Sequence, residues 1–225
     1  VQGEILGTLK APMPRLTRAE SQAKTRAALL ETARECFLRD GYAETSLDGI
    51  ALAAGYSKGA VYSNFRNKDE LCLAVIDAIR ADRAAALGRA MAGKRTLSTR
   101  IAALEAWAEE HLGDRAWTAL EVAFAVHASR IPELAEALCV RHEAIRAAVT
   151  ALVVAEAESA GITLPFGAEH VAVAILSLGL GLGVQRALDP NVPVRPLGDV
   201  VRALVGNAQA KKKPAAAKAR PRAGS

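Results

Sequence analysis

The stretch TSLDGIALAAGYSKGAVYSNFRNKDEL, residues 45–71, constrains the fold more than any other part of this 225-residue chain. It reads as three helical pieces with almost nothing between them. Thr45 and Ser46 are N-cap residues ahead of a piece spanning 47–54, and Gly55 can take positive φ and turn the chain tightly. Ser57 caps a two-turn piece, 58–64, and Asn67 with Asp69 and Glu70 opens a long helix whose N-terminal dipole favours acids. Helices this short are marginal alone, so one of them must be held against a core for the sake of what its other side meets. Leu47, Ile50 and Ala51 point the first piece toward Leu29 and Phe37. Val61 and Phe65, four apart, anchor the second on one face and leave Lys58, Gly59, Ala60, Tyr62, Ser63 and Asn64 on the opposite one. Helix, tight turn, short helix is the helix-turn-helix arrangement. Its second helix enters a major groove, where small residues permit close approach and polar ones reach base edges and phosphates. Gly49 runs against the pattern, since a glycine inside a helix costs roughly 0.5–1 kcal/mol against alanine.

The rest of the chain is punctuated for helices as well. Leu29, Ala33, Cys36 and Phe37 share a helical face between Ser21 and about Asp40, with Gly41 as the stop. Further helices are expected near 68–92, 96–112, 115–130, 132–160, 167–188 and 197–208, divided by Gly93, Gly113, Pro132, Gly161–Pro165 and Asp189–Pro196. No stretch alternates apolar and polar residues, and aromatics make up only 4% of the chain, so no sheet is expected. The fold class is all-α. Its expected parts are a flexible arm (1–20), a three-helix helix-turn-helix domain (21–67), a larger helical domain (68–209) and a basic, Pro- and Ala-rich tail (210–225) that cannot bury enough to fold.

Charge separates these parts. The net is +4 over residues 1–95, −5 over 96–209 and +6 over 210–225. A polyanion meeting the two ends accounts for this, and so does ordinary solvated charge. Cys36, Cys72 and Cys139 are far apart and odd in number, which fits reduced thiols in a cytosolic protein. Residues 1–20 lack the apolar core of a signal peptide, and Met13 is a candidate alternative start. The most apolar run, Val171 to Val184, is short for a bilayer and fits a buried helix, so no membrane partner is expected.

Residues 25–71 resemble the tetracycline-repressor (TetR) family of bacterial transcriptional regulators. The likeness rests on Ala33 and Phe37, Gly41–Tyr42, Thr45–Ser46, Ile50–Ala51, Ala54–Gly55, Ser57 to Gly59, Tyr62 with Phe65, and Asn67 to Leu71, in that order and spacing. It implies that Tyr62, Lys68 and the Thr45–Ser46 cap region touch phosphates, that Lys58, Gly59, Ala60 and Ser63 face bases, and that Asn64 does either. It also implies a homodimer on double-stranded DNA in the bacterial cytoplasm, and a C-terminal domain that binds a small-molecule effector and forms the dimer.

Within that domain, Trp107, Trp117, Phe124 and His127 are candidates for an effector pocket, with plain core packing as the competing reading. Val149, Leu152, Val153, Ile175, Leu176, Gly179, Leu180 and Gly183 are candidates for a four-helix dimer seam. The glycines of SLGLGLGVQ follow no strand and do not match a phosphate-loop spacing, so they read as sites of close helix approach. His111, His127, His142 and His170 show no metal-ligand spacing. No metal, cofactor or catalytic constellation is expected. The function implied is an operator-binding regulator, most simply a repressor released by its effector. An architectural DNA-binding protein without a ligand is the alternative.

Overall fold

A computed structural model describes residues 17–211, with side chains to residue 203. Most of the N-terminal arm and nearly all of the basic tail lie outside the described residues. Among the described residues there are nine helices and no strand. They are α1 (Arg18–Glu44), α2 (Leu47–Ala53), α3 (Lys58–Tyr62), α4 (Lys68–Met91), α5 (Leu97–His111), α6 (Arg115–Ala128), α7 (Pro132–Ser159), α8 (Ala168–Leu188) and α9 (Arg195–Lys211).

The caps explain where the short helices begin. Ser46 accepts the Gly49 amide, Ser57 the Ala60 amide and Asn67 the Glu70 amide, each at the third helical position. Gly49 therefore sits beneath its own cap, and a Cβ there would lie 3.2 Å from the Ser46 hydroxyl. Positive φ at Gly41 (+82°) breaks α1 one turn before its end, and positive φ at Gly55 (+70°) closes the turn between α2 and α3.

Leu29, Ala33, Cys36 and Phe37 of α1 are buried with Ile50, Ala51, Val61, Phe65 and the Leu71–Ile79 face of α4. That core does not stop at the expected boundary near residue 67. Trp117, Leu120, Phe124 and Ala128 of α6 and Leu134 and Leu138 of α7 belong to the same cluster, so the N-terminal helices are seated directly on the larger helical body. A second, smaller cluster joins Ala108 of α5, Leu182 of α8, Leu197 of α9 and Val194 of the α8–α9 connection. The α5–α6 turn is pressed against α8, since a Cβ on Gly113 would lie 2.5 Å from the Cβ of Arg186. Arg186 is itself buried, and it donates to the carbonyls of Leu112 and Val192 and to Glu109.

Helix α8 departs from expectation. It spans 21 residues and is long and apolar enough, by length and composition alone, to cross a membrane. It is not the buried helix foreseen, because only Val171, Ala172, Leu182, Gly183 and Arg186 are buried. Val173, Leu180, Val184 and Leu188 form an exposed apolar stripe at helical spacing.

Candidate nucleic-acid interface

Helix α3 is held from below and open above. Val61 (0% exposed) and Phe65 (1%) are fixed in the core, while Tyr62, on the opposite side, is 55% exposed. Lys58, Gly59 and Ser63 are exposed beside Tyr62, and Ala60 is half-buried. The Lys58 ammonium pairs with Asp48 of α2, which holds its pKa above the ordinary value through that hydrogen bond. Both partners are exposed, so the pair is a weak tether that a phosphate or a base edge can displace. Ser46 is exposed at the start of α2, with its hydroxyl engaged in the cap.

Three of the expected contact residues are otherwise occupied. Thr45 is buried, and its hydroxyl donates to the Gly41 carbonyl at 2.7 Å, so it closes the end of α1 and does not face outward. Asn64 turns its amide onto the Ala60 carbonyl at 2.8 Å, with Oδ1 sealed from solvent, so it presents neither group to a groove. Lys68 does not project as a phosphate-binding lysine. Its Nζ donates to the carbonyls of Tyr42 (2.9 Å), Ala43 (3.3 Å) and Thr45 (3.0 Å) and lies 4.3 Å from the centre of the Tyr42 ring. An ammonium has three donors, and all three are used. Lys68 satisfies the carbonyls left open where α1 breaks at Gly41.

Beside this lysine is a cluster that sequence reasoning missed. The Tyr42 phenol donates to Asp69, and His127 Nε2 lies 3.0 Å from both the phenol oxygen and the carboxylate. Burial, and then the Asp69 carboxylate, raise the phenol's pKa well above its ordinary value. Three helices meet there: the end of α1, the start of α4 and the last turn of α6. The Gly-Tyr and Asn-Lys-Asp-Glu-Leu motifs were the only signal in the sequence, and nothing in it linked them to His127.

The body of the protein contains a cavity of about 630 Å³, walled by α4 to α8 with Leu197 and Val201 of α9. This is within the range of roughly 300–1,000 Å³ for small-molecule sites. Trp107 and Trp117 line it as expected. Phe124 and His127 do not: Phe124 is wholly buried against Tyr42, and His127 belongs to the junction just described. All eight residues assigned from sequence to a dimer seam line this cavity between α7 and α8. Only Leu152 and Leu180 among them are also markedly exposed, because the faces carrying the rest turn toward each other within one chain.

Comparison with known proteins fits this geometry. The family described as "Bacterial regulatory proteins, tetR family" matches residues 29–75, and "BetI-type transcriptional repressor, C-terminal" matches residues 100–211. Together the two matches cover more than two thirds of the chain. The chain belongs to the TetR family. This TetR-family chain is 43% identical over 67 residues to the regulator TtgR of Pseudomonas putida, covering 30% of the chain and 31% of TtgR. It is 42% identical over 59 residues to AcrR of Shigella flexneri, covering 26% and 27%. These alignments thus span about a third or less of the curated relatives' length. Among solved structures, a transcriptional regulator from Rhodococcus sp. Rha1 superposes with a TM-score of 0.57 at 26% identity, covering 85% of this chain and 97% of that one. A Saccharomonospora viridis protein solved in complex with choline superposes at 0.59 with 18% identity, covering 82% and 96%, and shares the fold.

Proposed function

We propose that this TetR-family chain is a sequence-specific DNA-binding regulator, a repressor that leaves a palindromic operator when a small molecule enters its cavity. The observation that carries the reading is the double attachment of α4. Its first turn grips the helix-turn-helix unit through Lys68 and Asp69, and its second half, at Arg80, Arg83 and Leu87, walls the cavity. The 24 residues of α4 form a rod about 36 Å long at 1.5 Å per residue. A molecule lodged against one end therefore bears on the other. Release requires that the ligand prefer the arrangement unable to span the operator, which is a population shift and not a new contact to DNA.

The exposed face of α3 reads bases with Lys58, Gly59, Ala60 and Ser63, and Tyr62 reaches a phosphate. A homodimer supplies two such faces, roughly 34–36 Å apart or a multiple of that. The apolar stripe of α8, Val173, Leu180, Val184 and Leu188, suits the self-complementary seam of a two-fold pair. The protein works in the bacterial cytoplasm on nucleoid DNA.

The test is footprinting on genomic fragments selected by the protein, repeated with compounds that occupy the cavity. The solved choline complex of the same fold is a reason to include quaternary ammonium compounds in that first screen. A short symmetric footprint lost on adding compound is the expected result. Uniform coating would favour an architectural DNA-binding protein, and a footprint that cavity-filling compounds leave unchanged would defeat the switch. Tyr62→Ala should weaken binding to all sequences without unfolding the protein.

A further inference from the structure

The charges around the cavity are not balanced. Arg80, Arg83, Arg100 and Arg146 line it together with Glu121 and Glu156. Arg80 pairs with Glu121 at 3.0 Å, and Arg100 pairs with Glu156. Arg83 is held by the His111 carbonyl and Asp114, and stacks over the Trp117 ring. Arg146, half-buried on α7, makes no hydrogen bond or ion pair with the described residues. One turn before it on the same face, His142 Nε2 lies 3.0 Å from Arg80 Nη2. The other terminal nitrogen of Arg80, Nη1, is shielded from solvent and has no acceptor. Arg146 thus adds an uncompensated cation from α7, near the His142 that Arg80 also faces, to an otherwise largely aliphatic chamber.

We propose that the effector is an amphipathic organic anion, with its acidic head against Arg80 and Arg146 and its apolar tail among Val149, Val153, Ile175 and Leu176. This rests on the reading of the cavity as the effector chamber and names the chemical class that the chamber selects. A carboxylate supplies the counter-charge that Arg146 lacks, through charge-assisted hydrogen bonds stronger than neutral ones. A cationic head meets the opposite: the unpaired Arg146, with both lining acids already paired to Arg80 and Arg100. The tryptophans do not form a cage for a cation either. Trp107 stacks on His111 and donates its indole hydrogen to the Arg83 carbonyl, and Trp117 is covered by Arg83. His142 supports the same assignment, since burial, and then the neighbouring Arg80 and Arg146, outweigh Glu121 and push its imidazole below the ordinary range. An anion seated there reverses that push.

The experiment uses the full chain and one tail with three heads: decanoate, decyltrimethylammonium and decanol, each below its micelle concentration. The only two tryptophans of the protein both line the cavity, so intrinsic fluorescence reads occupancy directly. Decanoate should bind about tenfold or more tighter than decanol, and decyltrimethylammonium weakest. Arg146→Gln should erase the preference for decanoate while leaving decanol affinity unchanged, and Arg146→Lys should retain part of it. The His142 ring resonances should titrate at higher pH with decanoate bound than without. Decanol or the ammonium compound binding as tightly as decanoate would overturn the proposal and leave the chamber intact. So would a preference for decanoate that survives Arg146→Gln. If none of the three enters, the effector-chamber reading itself fails.

Discussion

Replacing Lys68 with methionine keeps most of the side chain's length and apolar stem but removes the ammonium that ties α4 to the end of α1. Two of the three carbonyls it serves, those of Tyr42 and Thr45, are part of a half-buried contact, and that of Ala43 is exposed. At a net ~1 kcal/mol for each of the two sheltered bonds, less for the third, and ~0.5–1 kcal/mol for the cation over the Tyr42 ring, the loss is about 3 kcal/mol. For a chain of this size that corresponds to a fall in Tm on the order of 6–12 °C. Differential scanning calorimetry measures it. The same variant should then be titrated with operator DNA at several salt concentrations. A lysine on a phosphate adds about one to the salt slope of log K; Lys68, with its donors spent on carbonyls, should leave the slope unchanged. A variant that keeps its Tm but loses about one unit of slope per protomer would refute this reasoning and restore Lys68 to the DNA.

Lys58→Ala should do the reverse, leaving Tm nearly unchanged while relaxing base preference at one position per half-site in a binding-site selection. Phe65→Ala removes a fully buried ring beneath α3 and should cost about 3–5 kcal/mol in urea denaturation. Leu180→Glu places a charge in the exposed stripe of α8 and should shift the sedimentation coefficient toward the monomer while leaving helix content unchanged by circular dichroism. The depressed His142 pKa has a defined sign: the unfolded chain binds the proton more readily, so stability is full above the ordinary imidazole value of about 6.5 and declines as pH falls from there toward the lower folded value. His142→Gln should flatten that decline in a Tm-versus-pH series.

What could be read from sequence and what could not divide along a physical line. Helix starts depend on one side chain and an amide three residues away, so Ser46, Ser57 and Asn67 announced α2, α3 and α4 without any knowledge of the rest of the chain. The buried side of α3 was nearly as local: the expected piece 58–64 ends at Tyr62, yet the Phe65 amide still donates to the Val61 carbonyl, so the pair four apart is buried together just as the spacing asked. The inward turn of Lys68 was not legible because its carbonyl partners lie 23 to 26 residues upstream, and no rule of spacing says that a long flexible side chain will turn back toward them. The Tyr42–Asp69–His127 cluster draws on separations of 27, 58 and 85 residues and exists only once α6 is laid against α1. The apolar residues of α7 and α8 were ambiguous for a different reason. An apolar helix side declares that it must leave water, but not whether it faces its own chain or a second one. Val149, Val153, Ile175 and Leu176 answer to the cavity, while Val184 and Leu188, which the sequence does not distinguish from them, stay open. Helix α8 therefore divides its apolar surface between the cavity, which Ile175 and Leu176 line, and solvent, which Val184 and Leu188 face. Under the function proposed above, with the exposed side of α8 as the dimer seam, coupling between effector and dimer geometry would follow from the packing of α8 as well as from the reach of α4.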